Sequence, residues 1–237
     1  MSIKGYFTRF ELCLWGSSVL LITASFLALG GEGVFTLIAS LIGVTSLIFC
    51  AKGNPLGHVL GITFSILYGI ISFGVRYYGE MITYLGMTAP MAAVSLISWL
   101  LNPSPESRAE VKVNRLKRRD AEIIMLLAAA VTMIFYFILR YFGTANLAVS
   151  TLSVTTSFAA ACLTFRRSAY FAVAYACNDI VLIVLWALAA VSDISCVSVL
   201  ICFVVFLVND LYGFVNWKAM EKRQAIMAKL LEKGDQS

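Results

Sequence analysis

Charged residues are scarce in this sequence. Only 13% of its 237 residues are Asp, Glu, Lys or Arg, whereas soluble domains carry roughly 25%. Hydrophobic residues make up 60%. A soluble globule is excluded because so few charges cannot cover the apolar surface of a folded chain, and a disordered chain is excluded because it needs the opposite balance. The remaining class is an integral membrane protein.

Histidine is nearly absent, and the cysteines show no pairing pattern. The chain has one histidine, His58, and six cysteines scattered through apolar stretches without the spacing of metal ligands or of a disulfide framework. It also lacks HExxH, GxSxG and any Cys-His cluster. These absences argue against an intramembrane enzyme, so we expect no catalytic activity, no metal and no cofactor. His58 is predicted to be a helix-end residue.

Long apolar stretches are what the sequence has in abundance. A spanning helix needs about 20 mostly apolar residues, because the hydrocarbon core is about 30 Å thick and each residue rises 1.5 Å. Eight stretches meet this requirement: 11–29, 33–50, 57–76, 81–101, 121–141, 145–165, 169–191 and 195–217. The predicted fold class is an all-α integral membrane protein with eight transmembrane helices.

Lysine and arginine fall almost entirely on one side of these helices. If the N-terminus is cytoplasmic, only Arg76 and Arg140 of the 18 basic residues lie outside. Basic loops stay on the cytoplasmic side, so we expect a multi-pass protein of the cell inner (plasma) membrane with both termini in the cytoplasm. The basic residues then face anionic lipid headgroups, and a nucleic acid partner is not expected.

The loop pattern recurs at a shift of roughly 115 residues. Lys52 corresponds to Arg166 in tight turns, and Trp99 corresponds to Trp217 at helix ends. This predicts an N-terminal helix followed by a 3+1+3 parallel repeat, with a substrate site between the repeats. The expected parts are an N-terminal helix (1–32), a first three-helix repeat (33–101), a loop and linker helix (102–144), a second three-helix repeat (145–217) and a cytoplasmic amphipathic tail (218–237).

Polar side chains at membrane depth are the candidate site. Amides and carboxylates are costly in a bilayer unless they have an internal partner or face water. Asparagine can also serve merely to pack helices, and Trp217 is predicted to belong to the interfacial aromatic belt. The candidate substrate-binding residues are Asn178, Asp179, Trp186, Asn209, Asp210, Tyr212 and Asn216 in the second half, and Tyr68, Tyr84 and Trp99 in the first.

Amides, tyrosines and tryptophans suit one class of small molecule. A flat heteroaromatic ring can stack on aromatic side chains, a positive ring gains cation–π attraction, and amides can bind ribose or carboxamide groups. A phosphate does not fit, because no lysine or arginine lies at depth to neutralise it. We therefore expect an uncharged or cationic heteroaromatic substrate that carries hydroxyls.

The stretch VNDLYGFVNWKAMEK resembles the closing helix of the PnuC family of vitamin transporters. The matching positions are Asn209, Tyr212, Gly213, Asn216 and Trp217, and the segment from Gly53 to Trp99 and Asn178 are also similar to the family. The resemblance implies a SWEET-like 3+1+3 fold, facilitated diffusion of nicotinamide riboside, and trapping by a cytoplasmic kinase. It also implies substrate-binding roles for Asn178, Asn209, Tyr212 and Asn216, and a homo-oligomer that is often a trimer.

Asp179 and Asp210 depart from what the family leads us to expect. A carboxylate near the site favours a cationic ring, which both nicotinamide riboside and thiamine possess. Uptake of another cationic vitamin such as thiamine therefore stays open. The same carboxylates could bind a coupling proton or cation. A further alternative is a substrate-binding subunit that needs an ATPase partner, because the sequence has no phosphate-binding loop.

Overall fold

The structure is a computed structural model that describes residues 6–29, 33–74 and 78–234. Within these ranges the chain is helical apart from its connections and one isolated bridge between Pro103 and Val111. The helices are α1 (Arg9–Leu29), α2 (Val34–Ala51), α3 (Leu56–Gly74), α4 (Tyr78–Thr83), α5 (Ala89–Leu100), α6 (Arg118–Tyr141), α7 (Leu147–Phe165), α8 (Tyr170–Ala190) and α9 (Cys196–Gly234).

Eight segments in the described ranges are long and apolar enough to cross a membrane, which confirms the predicted fold class. The turns after α2 and α7 and the α5–α6 connection lie at one end of the bundle, here called the basic end. Glu80 and Asp193 lie at the opposite end, here called the acidic end. Arg76, one of the two basic residues that the sequence analysis assigns to the outer side, is not among the described residues.

The fourth span is not a regular helix. A π-helical turn from Tyr84 to Thr88 separates α4 from α5. Pro90 follows this turn and has no N–H to donate to the preceding carbonyls, so regular α-helical bonding is interrupted there. The hydroxyl of Thr88 donates to the carbonyl of Thr83 within this turn. Turns of this kind occur often at functional sites.

The tight turns after α2 and α7 have the same geometry. Gly53 and Arg167 both adopt left-handed backbone conformations, with φ of 65° and 57°. Gly53 donates its N–H to the carbonyl of Cys50, and Arg167 donates in the same way to Thr164. This arrangement caps the free carbonyls of a helix end. The two turns therefore match in structure at the shift that the sequence repeat predicts.

Two tryptophans connect the halves by equivalent hydrogen bonds at the basic end. The indole of Trp99 donates to the carbonyl of Thr164 at 3.0 Å, and the indole of Trp217 donates to the carbonyl of Cys50 at 2.8 Å. Each half thus caps the helix end of the other. The belt prediction for Trp217 is wrong, because its side chain is fully buried by this bond and by the ring of Trp99, 5.2 Å away.

The neighbouring residues repeat the exchange. The hydroxyl of Ser98 donates to the carbonyl of Phe165, and the amide of Asn216 donates to the carbonyl of Ala51. These four bonds relate the two halves of the bundle reciprocally.

The first helix attaches to the rest through a buried carboxylate. Glu11 is 1% exposed and forms a capping box with Thr8 at the start of α1. Its carboxylate also binds the ammonium group of Lys52 at 2.9 Å and accepts a hydrogen bond from Tyr212 at 2.8 Å. Glu11 therefore ties α1 to the α2–α3 turn and to α9.

The C-terminal tail continues the eighth span. α9 runs unbroken to Gly234, so residues 218–234 do not form a separate helix along the membrane surface. The α5–α6 connection packs against residues 218–234 of α9 and holds them in line with the eighth span. Arg223 pairs with Glu106 and Glu110, and the side chain of Gln224 accepts a hydrogen bond from the backbone N–H of Val113.

Two glycines of α3 provide a test of how closely α2 and α3 pack. A methyl group at Gly57 would lie 2.7 Å from the backbone nitrogen of Cys50, which cannot move without shifting α2. We expect Gly57→Ala to lower the melting temperature of the purified protein, by an overpacking penalty of about 1–3 kcal/mol.

Gly61→Ala is the matched control. Its methyl group would only meet the Ser46 hydroxyl at 3.4 Å, so the melting temperature should hardly change. Equal melting temperatures for Gly57→Ala, Gly61→Ala and the unmodified protein would contradict the described packing of α2 on α3.

Candidate functional site

A small cavity lies at the centre of the bundle, between the two halves. Its volume is about 130 Å³, and its walls come from α2, α3, the π-helical turn, α5, α7, α8 and α9. The polar and aromatic lining residues are Ser46, His58, Phe64, Ser65, Tyr84, Thr88, Ser157, Thr164, Phe171, Tyr175, Asn178, Asp179, Phe203, Phe206 and Asp210. We call it the central cavity.

Two carboxylates face the central cavity. Asp179 on α8 and Asp210 on α9 are 4% and 5% exposed, and both line its wall. Among the described residues, one carboxylate oxygen of Asp179 has no hydrogen-bond partner. A buried carboxylate that is not fully satisfied is costly, so it marks a position where a ligand group or water completes the bonding.

Asn178 presents an oriented amide to the same cavity. The hydroxyl of Thr156 on α7 donates to its carbonyl oxygen at 2.8 Å. This bond fixes the amide plane and does not use the amide nitrogen. Asn178 can therefore donate hydrogen bonds to a ligand while helping to pack α8 on α7.

The π-helical turn supplies an aromatic wall. Tyr84 and Thr88 line the central cavity from this turn. The ring of Tyr68 packs on that of Tyr84 at 4.5 Å and belongs to the same buried cluster, although it is not a lining residue. Of the aromatic candidates in the first half, Tyr84 thus reaches the cavity directly and Tyr68 supports it.

Three other candidates on α9 bind neighbouring helices. The amide of Asn209 donates to the hydroxyl of Ser18 on α1 and to the carbonyl of Val205. The hydroxyl of Tyr212 donates to Glu11, and Asn216 donates to the end of α2. None of the three is among the described lining residues of the central cavity. They share a face of α9, as their spacing indicates, and that face packs on α1 and α2.

The two candidate tryptophans lie at opposite ends of the central cavity. Trp99 is 1% exposed and closes the basic end with Trp217 and Phe171. Trp186 is 4% exposed and lines a different cavity at the acidic end. The structure therefore brings together Asn178, Asp179, Asp210 and Tyr84, and it separates the two tryptophans from them.

His58 is a lining residue that the sequence analysis assigned only to a helix end. It is indeed in the first turn of α3, but it is buried and its ring packs edge-on against Trp99 at 4.2 Å. Among the described residues its Nε2 atom has no hydrogen-bond partner. The sequence contains one indication that His58 faces the cavity. His58 precedes Gly61 and Ser65 by three and seven residues, and residues at these spacings share a helix face.

The lining chemistry favours an organic cation over a metal. In the described part of the chain, no group of three or more His, Cys, Asp and Glu side chains is arranged to hold a metal ion. The described lining of the central cavity also includes no lysine or arginine. Carboxylates beside tyrosine and phenylalanine rings can stabilise a flat, positively charged ring through charge attraction and cation–π contacts.

Tyr212 tests the distinction between packing and substrate contact. We expect Tyr212→Phe to lower the melting temperature, because a hydrogen bond to a charged group such as Glu11 contributes about 1.5–3 kcal/mol. The half-saturation concentration for a transported substrate should stay unchanged. A large rise in that concentration with an unchanged melting temperature would show that Tyr212 contacts substrate.

Comparison with known proteins gives consistent matches. Residues 33–219 match the family model described as nicotinamide mononucleotide transporter. The nicotinamide riboside transporter PnuC of Neisseria mucosa is 25% identical over 226 residues, which cover 93% of this chain and 85% of that protein. The nicotinamide riboside transporter PnuC of Haemophilus influenzae is 22% identical over 188 residues, covering 79% of this chain and 80% of that protein.

A solved structure has the same fold. A crystal structure of the vitamin B3 transporter PnuC superposes with a TM-score of 0.80 at 23% sequence identity. The match covers 93% of this chain and 95% of that one.

Proposed function

Because the chain belongs to the nicotinamide mononucleotide transporter family, we propose that it carries nicotinamide riboside across the membrane. The names of its two relatives support this substrate, and the observation that carries the proposal is the pair of carboxylates, Asp179 and Asp210, in the central cavity. Nicotinamide riboside has a positively charged pyridinium ring. Asp179 and Asp210 hydrogen-bond to each other, which requires a proton on one of them, so the pair acts as one shared negative charge. Opposite charges in a site shielded from water attract strongly, so this charge favours the ring.

The same charges favour the nucleoside over its phosphate. The family description names the mononucleotide, whereas both relatives are named as riboside transporters. A phosphate group would face two carboxylates without a lysine or arginine among the described lining residues. Phosphate binding depends on such cations or on converging N–H donors. The uncompensated charge therefore supports the unphosphorylated nucleoside as substrate.

The transport mechanism that fits this cavity is alternating access. The cavity volume of about 130 Å³ is below the roughly 300 Å³ of sites that enclose drug-sized ligands, so binding requires the walls to separate. Trp99 and Trp217 close the basic end, and a layer with Leu182, Phe203 and Phe206 lies toward the acidic end. We infer that the two repeats rock against each other around the central cavity, by facilitated diffusion.

The orientation and the assembly are parts of the same proposal. The excess of lysine and arginine at the basic end supports cytoplasmic termini, since basic loops are retained on that side. The reciprocal bonds of Trp99 and Trp217 support the predicted repeat boundaries, 33–101 and 145–217. Assembly into trimers in the inner membrane follows from the family resemblance alone.

Asp179→Asn tests the role of charge in the central cavity. We expect the half-saturation concentration for nicotinamide riboside to rise about tenfold, which corresponds to about 1.4 kcal/mol. The uncharged reduced form of the same nucleoside should be little affected, because it has no positive ring to lose an attraction. The measurement is counterflow of both labelled nucleosides in proteoliposomes without an ion gradient.

Asp120→Asn is the matched control for this experiment. It makes the same chemical change in a surface ion pair with Arg166 at the basic end, where a single pair contributes about 0–1 kcal/mol. Counterflow of thiamine but not of nicotinamide riboside would contradict the proposed substrate and show that thiamine is transported instead. Counterflow of neither compound by the purified chain, with uptake restored by an ATPase partner, would overturn the uniporter mechanism.

A further inference from the structure

A second and larger cavity lies at the acidic end. Its volume is about 430 Å³, within the range of roughly 300–1,000 Å³ typical of small-molecule sites. The last turn of α8, the connection between α6 and α7, and the start of α4 form its walls. We call it the outer cavity, following the proposed orientation.

Asp193 gives the outer cavity a negative charge, and Glu80 is a second carboxyl group in its wall. Asp193 accepts hydrogen bonds from the hydroxyl and the backbone N–H of Ser195, which lower the pKa of Asp193 and keep it ionised at neutral pH. Glu80, in the first turn of α4, lines the same cavity. The described lining of this cavity, like that of the central cavity, includes no lysine or arginine.

The outer cavity also has aromatic and amide groups. Trp186 and Phe142 line it, and so does Asn146, which precedes α7. An indole face next to carboxylates is the combination that binds a flat organic cation. The outer cavity thus repeats the chemistry of the central cavity: carboxylates, aromatic rings and an amide.

One helix connects the two cavities. On α8, Leu182 lines the central cavity, and Leu185 and Trp186 line the outer cavity. These positions are about one helical turn apart, which is 5.4 Å along the helix axis. Leu182, Leu185 and Trp186 are all nearly buried and belong to one apolar cluster, which forms a thin partition between the cavities.

We propose that the outer cavity is a second binding site for a cationic heteroaromatic nucleoside, which it holds before the partition opens to the central cavity. The identity of this ligand rests on the proposed function. The site concentrates the positively charged substrate near Trp186 and contributes to capture at low substrate concentration. It does not take part in the later step in which the repeats rock.

The double variant Glu80→Gln/Asp193→Asn tests the outer site. We expect the half-saturation concentration for uptake of nicotinamide riboside by cells to rise about tenfold, the lower end of electrostatic effects on association. The maximal rate should stay the same. Uptake of the uncharged reduced nucleoside should not change, and the dependence of the nicotinamide riboside value on ionic strength should become weaker.

The control is Asp120→Asn/Glu122→Gln, which makes the same two changes at the opposite end of the bundle. Asp120 pairs with Arg166, and Glu122 forms an exposed pair with Arg118. Elution of each variant as a single species in size-exclusion chromatography verifies folding. Equal half-saturation concentrations for the two double variants would overturn the outer site and leave the proposed function intact.

Binding measurements separate the two proposals. Equilibrium binding of labelled nicotinamide riboside to the purified chain with Asp179→Asn should retain a weak phase that high salt removes. Adding Glu80→Gln/Asp193→Asn should abolish that phase. If the unmodified chain showed this phase but no counterflow, the proposed function would fail and the outer site would stand. If the phase survived the added substitutions, the outer site would fail.

Discussion

The exchange of tryptophan hydrogen bonds at the basic end is the contact on which the closed bundle depends. A carbonyl oxygen has two lone pairs and can accept a second hydrogen bond. Trp99 adds a second bond to the Thr164 carbonyl at the end of α7, and Trp217 adds a second bond to the Cys50 carbonyl at the end of α2. Each indole also fills the space between the halves. The same tryptophans therefore cap two helices, join the two halves of the bundle and close the basic end of the central cavity.

The central cavity is symmetric in position and asymmetric in chemistry. α3 contributes Gly61 and Ser65, and α8 contributes Tyr175 and Asp179 at positions that correspond under the repeat. At these two pairs of positions the first half has small side chains, and the second half has an aromatic ring and a carboxylate.

Much of the fold could be predicted from the sequence, because apolar length and the distribution of basic residues depend on each segment alone. The site could be predicted only in part, as the adjacent residues Asn209 and Asp210 illustrate. Asp210 faces the central cavity, whereas Asn209 binds Ser18 on α1. Adjacent residues on a helix point in different directions, and the packing of α1 decides which of the two side chains faces the cavity. Glu11 gave no separate signal, since Thr8 and Glu11 also match an ordinary capping box.

The attachments of α9 restrict which parts of the protein can move. α1 binds it through Asn209 and Tyr212, and the α5–α6 connection binds its extension through Gln224. These polar contacts would all have to break if α9 moved alone. The fourth span has a weaker constraint, because the π-helical turn already interrupts its regular bonding next to the central cavity. The proposed rocking of the two halves would therefore require less disruption at this turn than along α9. Tyr84 lies at that turn, so a change in the π-helical geometry would move an aromatic wall of the site directly.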